Sequence, residues 1–202
     1  MHVKLALVAL LAFLAGGIGA IVAFPERFHR LVEETAEAPI GEAAIGGPFS
    51  LVDHRGARVT DKDFGGRYTL FYFGYTHCPD ICPAGLQTIE AALAAIGTQA
   101  DKVTPVLISV DPARDTPEVL ADYVRNFGSR MIGLTGTQSE IEQAMRSFRV
   151  YARRVEGEGS SDDYLIDHSG YIYLMGPDGR LVSHYSHSIS ANELARRLRA
   201  VL

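Results

Sequence analysis

An α/β domain built on a central mixed sheet flanked by helices is predicted by three observations. Two continuous apolar runs, Tyr68 to Gly74 and Val103 to Val110, have the length and unbroken hydrophobicity of strands buried on both faces. A helical pattern follows each of them, which is the alternation of a parallel βαβ unit. Two further strand-like runs near the end of the chain surround Gly176-Pro177-Asp178-Gly179, a turn that demands an antiparallel return.

The elements can be taken in order. Phe49-Ser50-Leu51-Val52 and Ala57-Arg58-Val59-Thr60 flank Asp53-His54-Arg55-Gly56 and read as an opening β-hairpin. After the strand Tyr68 to Gly74, Leu86, Ile89, Leu93 and Ile96 recur at helical spacing, with Gly97 past the end. Pro79 and Pro83 confine the start of that helix, because proline is accepted only in the first turn. Beyond the second strand, Thr116 as cap and Pro117 as first helical residue open a helix reaching about Phe127. Met131 to Leu134 is a short strand, and Thr137-Gln138-Ser139-Glu140 is a capping box leading into Ile141 to Phe148. Tyr171 to Met175 and Leu181 to Tyr185 form the second hairpin. Ser190-Ala191-Asn192-Glu193 is a further capping box before an Arg-rich final helix. An opening hairpin, βαβα, a helix and a closing ββα resemble the thioredoxin-like plan.

The first 24 residues have a different character. Leu5 to Phe24 is uncharged and matches the roughly 20 apolar residues that span a bilayer core. A cleaved signal has a shorter apolar stretch and small residues at the cut. That pattern is met by Gly17-Ile18-Gly19 but not by Ile18-Gly19-Ala20 or Ile21-Val22-Ala23. The expectation is an uncleaved single-pass anchor over residues 1–24, a polar tether over 25–45 and one domain over 46–202. Lys4 on one side and Arg27 and Arg30 on the other leave orientation undecided by charge alone. A short stub before an apolar segment normally stays in the cytoplasm and exports the rest, and no Arg- and Ser-rich presequence precedes it. The expected location is a bacterial inner membrane with the domain in the periplasm. A formal net charge of −5 over 202 residues gives no reason to expect a nucleic-acid partner. Glu156 to Asp163 is acidic and glycine-containing, the composition of a solvated loop.

The chemistry is concentrated in Cys78 and Cys82, the only two cysteines, in Thr76-His77-Cys78-Pro79-Asp80-Ile81-Cys82-Pro83. Residues four apart share a helix face, so both sulfurs are expected at the mouth of the strand-to-helix turn. A purely structural disulfide there explains little, since bridge stabilisation grows with loop length and falls below the ~3 kcal/mol of a fifteen-residue loop. Thiol–disulfide exchange and soft-metal binding remain. A helix N-terminus lowers a thiol's pKa, which serves both chemistries. The three-residue gap departs from the usual two-residue redox spacing. Structural zinc wants four ligands and there is no third cysteine; Cu(I) favours thiolates and accepts two or three ligands.

A third ligand would come from seven histidines. His2 and His29 flank the apolar segment. His54, His184 and His187 belong to hairpin surfaces, and His77 should point away from the sulfurs. His168 is the candidate, because in a thioredoxin-like plan the segment entering the strand Tyr171 to Met175 packs beside the helix start that carries the cysteines.

Several separated motifs resemble the Sco (SenC) copper proteins: Tyr72 to Pro83, Ser109 to Pro117, Ile132 to Gly136 and Asp167-His168-Ser169. Gly47 to Leu51 and Tyr173 to Gly179 are similar to the same family. The resemblance implies one copper ion per domain, Cu(I) or Cu(II), held by Cys78, Cys82 and His168, with Asp111 as an acidic residue beside them. It implies a membrane-tethered metallochaperone rather than an enzyme, serving the binuclear copper site of cytochrome c oxidase subunit II. Reduction of that target's cysteines is an accessory activity it allows. Other periplasmic copper chaperones and thiol oxidoreductases are the further partners implied. Two alternatives stay open: a dedicated thiol–disulfide reductase, and a copper or redox sensor. A peroxidase would need a distinct peroxidatic pocket, and none is visible in the sequence.

Overall fold

β3 (Tyr68–Gly74) is the axis of the domain: six of its seven residues are buried, as a strand covered on both faces requires. In the computed structural model, which describes residues 45–156 and 164–202, it lies inside a seven-stranded mixed sheet. The other strands of that sheet are β1 (Ser50–Asp53), β2 (Arg58–Thr60), β4 (Val103–Ser109), β5 (Ile132–Thr135), β8 (Tyr171–Met175) and β9 (Leu181–Ser186). Their spatial order is β2-β1-β5-β4-β3-β8-β9. β3, β4 and β5 run parallel, and β8 and β1 add antiparallel strands on either side. The anchor and all of the tether up to residue 44 lie outside the described residues.

Among the described residues the α-helices are α1 (Ile81–Ile96), α2 (Pro117–Val124), α3 (Gln138–Phe148) and α4 (Ala191–Arg199). α1 and α3 cover opposite faces of β3, following the alternation of a strand. On one face the Phe71 and Phe73 rings pack against Phe148 of α3, with ring centroids 5.1 and 5.3 Å apart. On the other, the Tyr72 hydroxyl donates to the Ile81 carbonyl of α1 at 3.3 Å. α4 packs on α1 through Leu194, Ala195 and Leu198, which are buried. Ile81–Lys102 is apolar and long enough to cross a membrane by composition, yet Leu86, Ile89, Leu93 and Ile96 form the domain core.

Local signals account for the helix ends. Thr116 caps α2 through the Val119 amide, with Pro117 in the first turn. α2 is shorter than its sequence pattern, giving way to a 3₁₀ turn at Arg125–Phe127 before Gly128 at φ +96°. Thr137 and Glu140 complete their capping box. At α4 only half of the expected box forms: Ser190 accepts from the Glu193 amide, while the Glu193 carboxylate turns outward to Arg196 and Arg197. Two basic side chains one turn on outcompete a single backbone amide for that carboxylate.

The pattern did not reveal a second, two-stranded sheet. β6 (Ala152–Glu156) and β7 (Tyr164–His168) pair antiparallel, with Ala152 opposite His168. His168 therefore ends a strand, where the sequence suggested a loop before β8.

Candidate metal centre

The site lies at the carboxyl ends of β3 and β4, where open α/β sheets place their ligands. β3 ends at Gly74 and α1 begins at Ile81, so Cys82 is the second helical residue and Cys78 precedes the helix. The two cysteines thus do not share a helix face. A tight turn brings them together instead, with the Cys78 amide donating to the Tyr75 carbonyl at 3.3 Å. The Cys78 sulfur then accepts from the Cys82 amide at 3.4 Å. Asp80, the formal cap residue, makes no side-chain cap, so the sulfur supplies the acceptor that the first turn needs.

His168 reaches the same point from β7. Its Nε2 is 3.1 Å from the Cys82 sulfur, and its Nδ1 is 3.3 Å from the Ser169 carbonyl. With the Nδ1 proton on that carbonyl, Nε2 faces the sulfurs with its lone pair, the tautomer a metal ligand needs. The Tyr75 and Tyr72 rings stand edge-on to the imidazole at 5.9 and 6.4 Å. The Tyr75 hydroxyl also accepts from the Ile166 amide at 3.0 Å, tying β7 to the cysteine loop.

Both sulfurs and a ring nitrogen of His168 lie within 4.8 Å of one another, all three residues are buried, and both cysteines are free thiols. Metal–thiolate and metal–imidazole bonds of about 2.0–2.3 Å place donors around one ion about 3.5–4.4 Å apart. The set therefore fits one small ion after shifts of a fraction of an ångström. Its donors are two sulfurs and one imidazole with no carboxylate, a composition suited to soft Cu(I).

The thiols are unequal. The hydrogen bond from Cys82 holds the Cys78 thiol well below its ordinary pKa, with support from His168 and from the Asp80 and Cys82 amides, against the opposing effect of burial. Cys82 is pushed far upward, first by that shared bond with Cys78 and then by burial. One proton leaves easily, and the second is held while Cys78 is a thiolate beside it.

Gly74 makes this packing possible. A Cβ there would lie 2.9 Å from the Cys82 sulfur and 3.4 Å from both Leu107 Cδ1 and Tyr72 Cε1.

The β4–α2 loop carries two buried carboxylates. Asp111 accepts from the Tyr164 hydroxyl at 2.7 Å and from Arg114 Nε, so it braces the start of the His168 strand rather than meeting the sulfurs. Arg114 stacks over the Tyr164 ring at 3.6 Å, and Arg154 lies over the same ring at 3.6 Å. Asp115, which the sequence did not single out, is fully buried and bonds to Thr76 and Ser109. The one signal that could have found it is the density of polar residues, Asp111 to Thr116, directly after a buried parallel strand. The remaining described histidines stay out of the centre. His77 is half exposed and bonds Thr76, His54 accepts from the Gly133 amide, and His187 contacts the Gly170 carbonyl. His184 stacks edge-on against Tyr171.

Comparison with known proteins agrees with this geometry. The SCO1/SenC family model matches residues 37–202. Protein sco1 of Schizosaccharomyces pombe is 40% identical over 195 residues, covering 94% of this chain and 74% of that protein. The human SCO1 homolog, mitochondrial, is 41% identical over 166 residues, covering 81% of this chain and only 55% of its own length. The structure of Bradyrhizobium japonicum ScoI with copper bound superposes with a TM-score of 0.73 at 46% identity, covering 79% of this chain and all of that one. By its sequence, its sheet topology and the meeting of two thiols with one imidazole, this chain belongs to the SCO1/SenC family.

Proposed function

We propose that this protein is a copper metallochaperone that holds one copper ion through Cys78, Cys82 and His168. In this reading it is tethered to a bacterial inner membrane by residues 1–24, and the domain works in the periplasm. Its target is the binuclear copper site of cytochrome c oxidase subunit II. The observation that carries the reading is the convergence of two soft sulfurs and one correctly presented imidazole nitrogen within 4.8 Å. Copper-bound ScoI of Bradyrhizobium japonicum, similar over the whole domain, supports the same cargo.

Delivery follows from the donor set. Three ligands leave the ion open to an incoming thiolate of the target, which displaces the protein's donors one at a time. Cys78, the more acidic thiol, binds first, and the bound cation then favours loss of the Cys82 proton. The buried Tyr72 and Tyr75 rings pack edge-on against the His168 imidazole and hold it in place.

The inequality of the thiols also favours an accessory reduction. The Cys78 thiolate would attack a target disulfide, releasing one target thiolate and forming a mixed disulfide. Cys82 would then attack Cys78, freeing the second target thiolate and leaving a Cys78–Cys82 disulfide. Two electrons pass to the target and the protein's two thiol protons are released. The oxidised protein has lost both sulfur donors, so redox poise gates metal loading.

Cu(I) competition titrations against a chromophoric chelator test the assignment. One ion per chain is expected, with at least a hundredfold loss of affinity in Cys82→Ala and in His168→Ala, since each removes a donor and so exceeds the roughly ten- to hundredfold loss seen when only a ligand's support is removed. Equal copper affinity with and without the imidazole would rule out the three-donor site. In cells, deletion should cost oxidase activity that added copper restores; restoration by a thiol reductant alone would favour the reductase.

A further inference from the structure

Asp115 is a completely buried carboxylate that the proposed ligand set does not use. Two of its three side-chain hydrogen bonds reach Thr76 in the cysteine loop, and the third reaches Ser109 at the end of β4. Oδ2 accepts from the Thr76 amide at 3.1 Å and from the Ser109 hydroxyl at 2.6 Å, and Oδ1 accepts from the Thr76 hydroxyl at 2.6 Å. Asp115 is fixed in turn by its own amide, which donates to the Asp111 carbonyl at 2.9 Å, and by the Thr116 cap of α2 that follows it. Ser109 closes the frame by accepting from the Asp111 amide at 3.0 Å. The half-exposed His77 brings its Nδ1 to 3.9 Å from Oδ1, and that nitrogen is already engaged with the Thr76 hydroxyl at 3.0 Å.

Thr76 stands between Gly74, where β3 ends, and Cys78. The chain must leave the strand, turn so that the Cys78 amide meets the Tyr75 carbonyl, and present the Cys78 sulfur to the Cys82 amide. The amide and the hydroxyl of Thr76 are both held by one buried carboxylate from the neighbouring crossover. A buried carboxylate is a costly way to pack a loop unless it is well hydrogen-bonded, and here both oxygens accept, Oδ2 twice and Oδ1 once. Burial itself raises its pKa against the lowering effect of the Ser109 and Thr76 bonds. Asp111, four residues earlier, serves the strand that carries His168. One loop thus braces both halves of the donor set.

We propose that Asp115 is a positioning residue for the copper site: through Thr76 it sets where the Cys78 sulfur stands relative to Cys82 and His168. The inference rests on the copper-chaperone reading above.

The test uses the full-length protein with Asp115→Ala, Asp115→Asn and Thr76→Val, each checked for folding by its circular dichroism. Asparagine can keep the geometry, with its carbonyl oxygen taking the Thr76 amide and the Ser109 hydroxyl while its amide donates to the Thr76 hydroxyl. Asp115→Ala should lose about ten- to a hundredfold in Cu(I) affinity, the range for groups that orient ligands. It should also shift the thiolate-to-copper charge-transfer band of the Cu(II)-loaded protein. Asp115→Asn should bring both back to within about threefold and to the wild-type band, on that same scale. Thr76→Val, which removes the hydroxyl bond to Oδ1 and leaves the backbone amide bond to Oδ2, should shift the band in the same direction by a smaller amount and stands in if Asp115→Ala does not fold. Wild-type affinity and an unshifted band in the folded Asp115→Ala or in Thr76→Val would overturn the inference. So would an asparagine variant as impaired as the alanine one, because charge and not position would then be the cause. Absence of copper binding by the wild type would instead sink the reading beneath it.

Discussion

Gly74→Ala adds one methyl group where the site has no room for it. The new Cβ would lie 2.9 Å from the Cys82 sulfur, 3.4 Å from Leu107 Cδ1 and 3.4 Å from Tyr72 Cε1. The glycine is not held at positive φ, so alanine meets no backbone strain and the effect is steric. Comfortable carbon–sulfur contact needs roughly 0.7 Å more, on the scale of the 3.5–4.0 Å optimum for non-bonded atoms. Leu107 and Tyr72 are themselves fully buried and close the other directions, so the sulfur and the first turn of α1 must move. Overpacking of this kind costs about 1–3 kcal/mol, and alanine's lower chain entropy returns about 0.5–1 kcal/mol. The expected net loss, about 1 kcal/mol and at most about 2.5 kcal/mol, lowers the melting temperature of the copper-free protein by about 2–10 °C for a chain of this size. Calorimetry of Gly74→Ala, Cys82→Ala and the double variant provides the measurement. Once the sulfur is gone the methyl has space, so the double variant should be more stable than the sum of the singles by about 1 kcal/mol, a coupling typical of touching residues. Additive losses would refute the assigned contact, and an unchanged melting temperature in the single variant would refute the packing argument altogether.

Two further outcomes follow from the acid–base asymmetry. Limited alkylation of the copper-free protein near neutral pH should label Cys78 well before Cys82, because Cys78 has the lowered pKa and keeps 7% of its surface while Cys82 has none; peptide mass mapping reads the order, and equal rates would contradict it. Asp115 has its pKa raised, chiefly by burial, so its ionised form weakens the folded state above the folded pKa and this penalty disappears as pH falls below the unfolded carboxylate value. Asp115→Asn should therefore melt higher than wild type at pH 7, with the gap closing toward pH 4; a gap that widens on acidification would reverse the sign and the reasoning.

The chemistry-bearing residues were legible because their identity limits what they can do. Cys78, Cys82 and His168 were all identified from residue type and order, and the buried strands and capped helices around them from periodicity. What the sequence did not disclose was pairing at long range. His168 is held by β6, which pairs antiparallel with β7, and no local pattern announces a ribbon whose strands alternate so weakly in burial. The spacing of Cys78 and Cys82 suggested one helix face, whereas Pro79 and Asp80 delay the helix until Ile81 and a turn does the joining. Asp111 and Asp115 look alike in sequence. Only the crossover geometry shows that the first reaches the histidine strand and the second the cysteine loop. The half-formed box at Ser190 has a similar origin, since a competing pair of arginines cannot be weighed by motif alone.

The Cys78 sulfur is also the acceptor that begins α1, a duty usually given to an oxygen. An emptied site therefore does not fall open: the lone pairs that a departing cation vacates still face a backbone donor, and the helix start keeps the thiolate where the next ion will need it. The same bond makes the Cys82 amide proton a reporter of the site's state. Its exchange with solvent and its resonance frequency should change whenever that sulfur is oxidised, alkylated or loaded, so cargo traffic could be followed at one backbone position without touching a ligand.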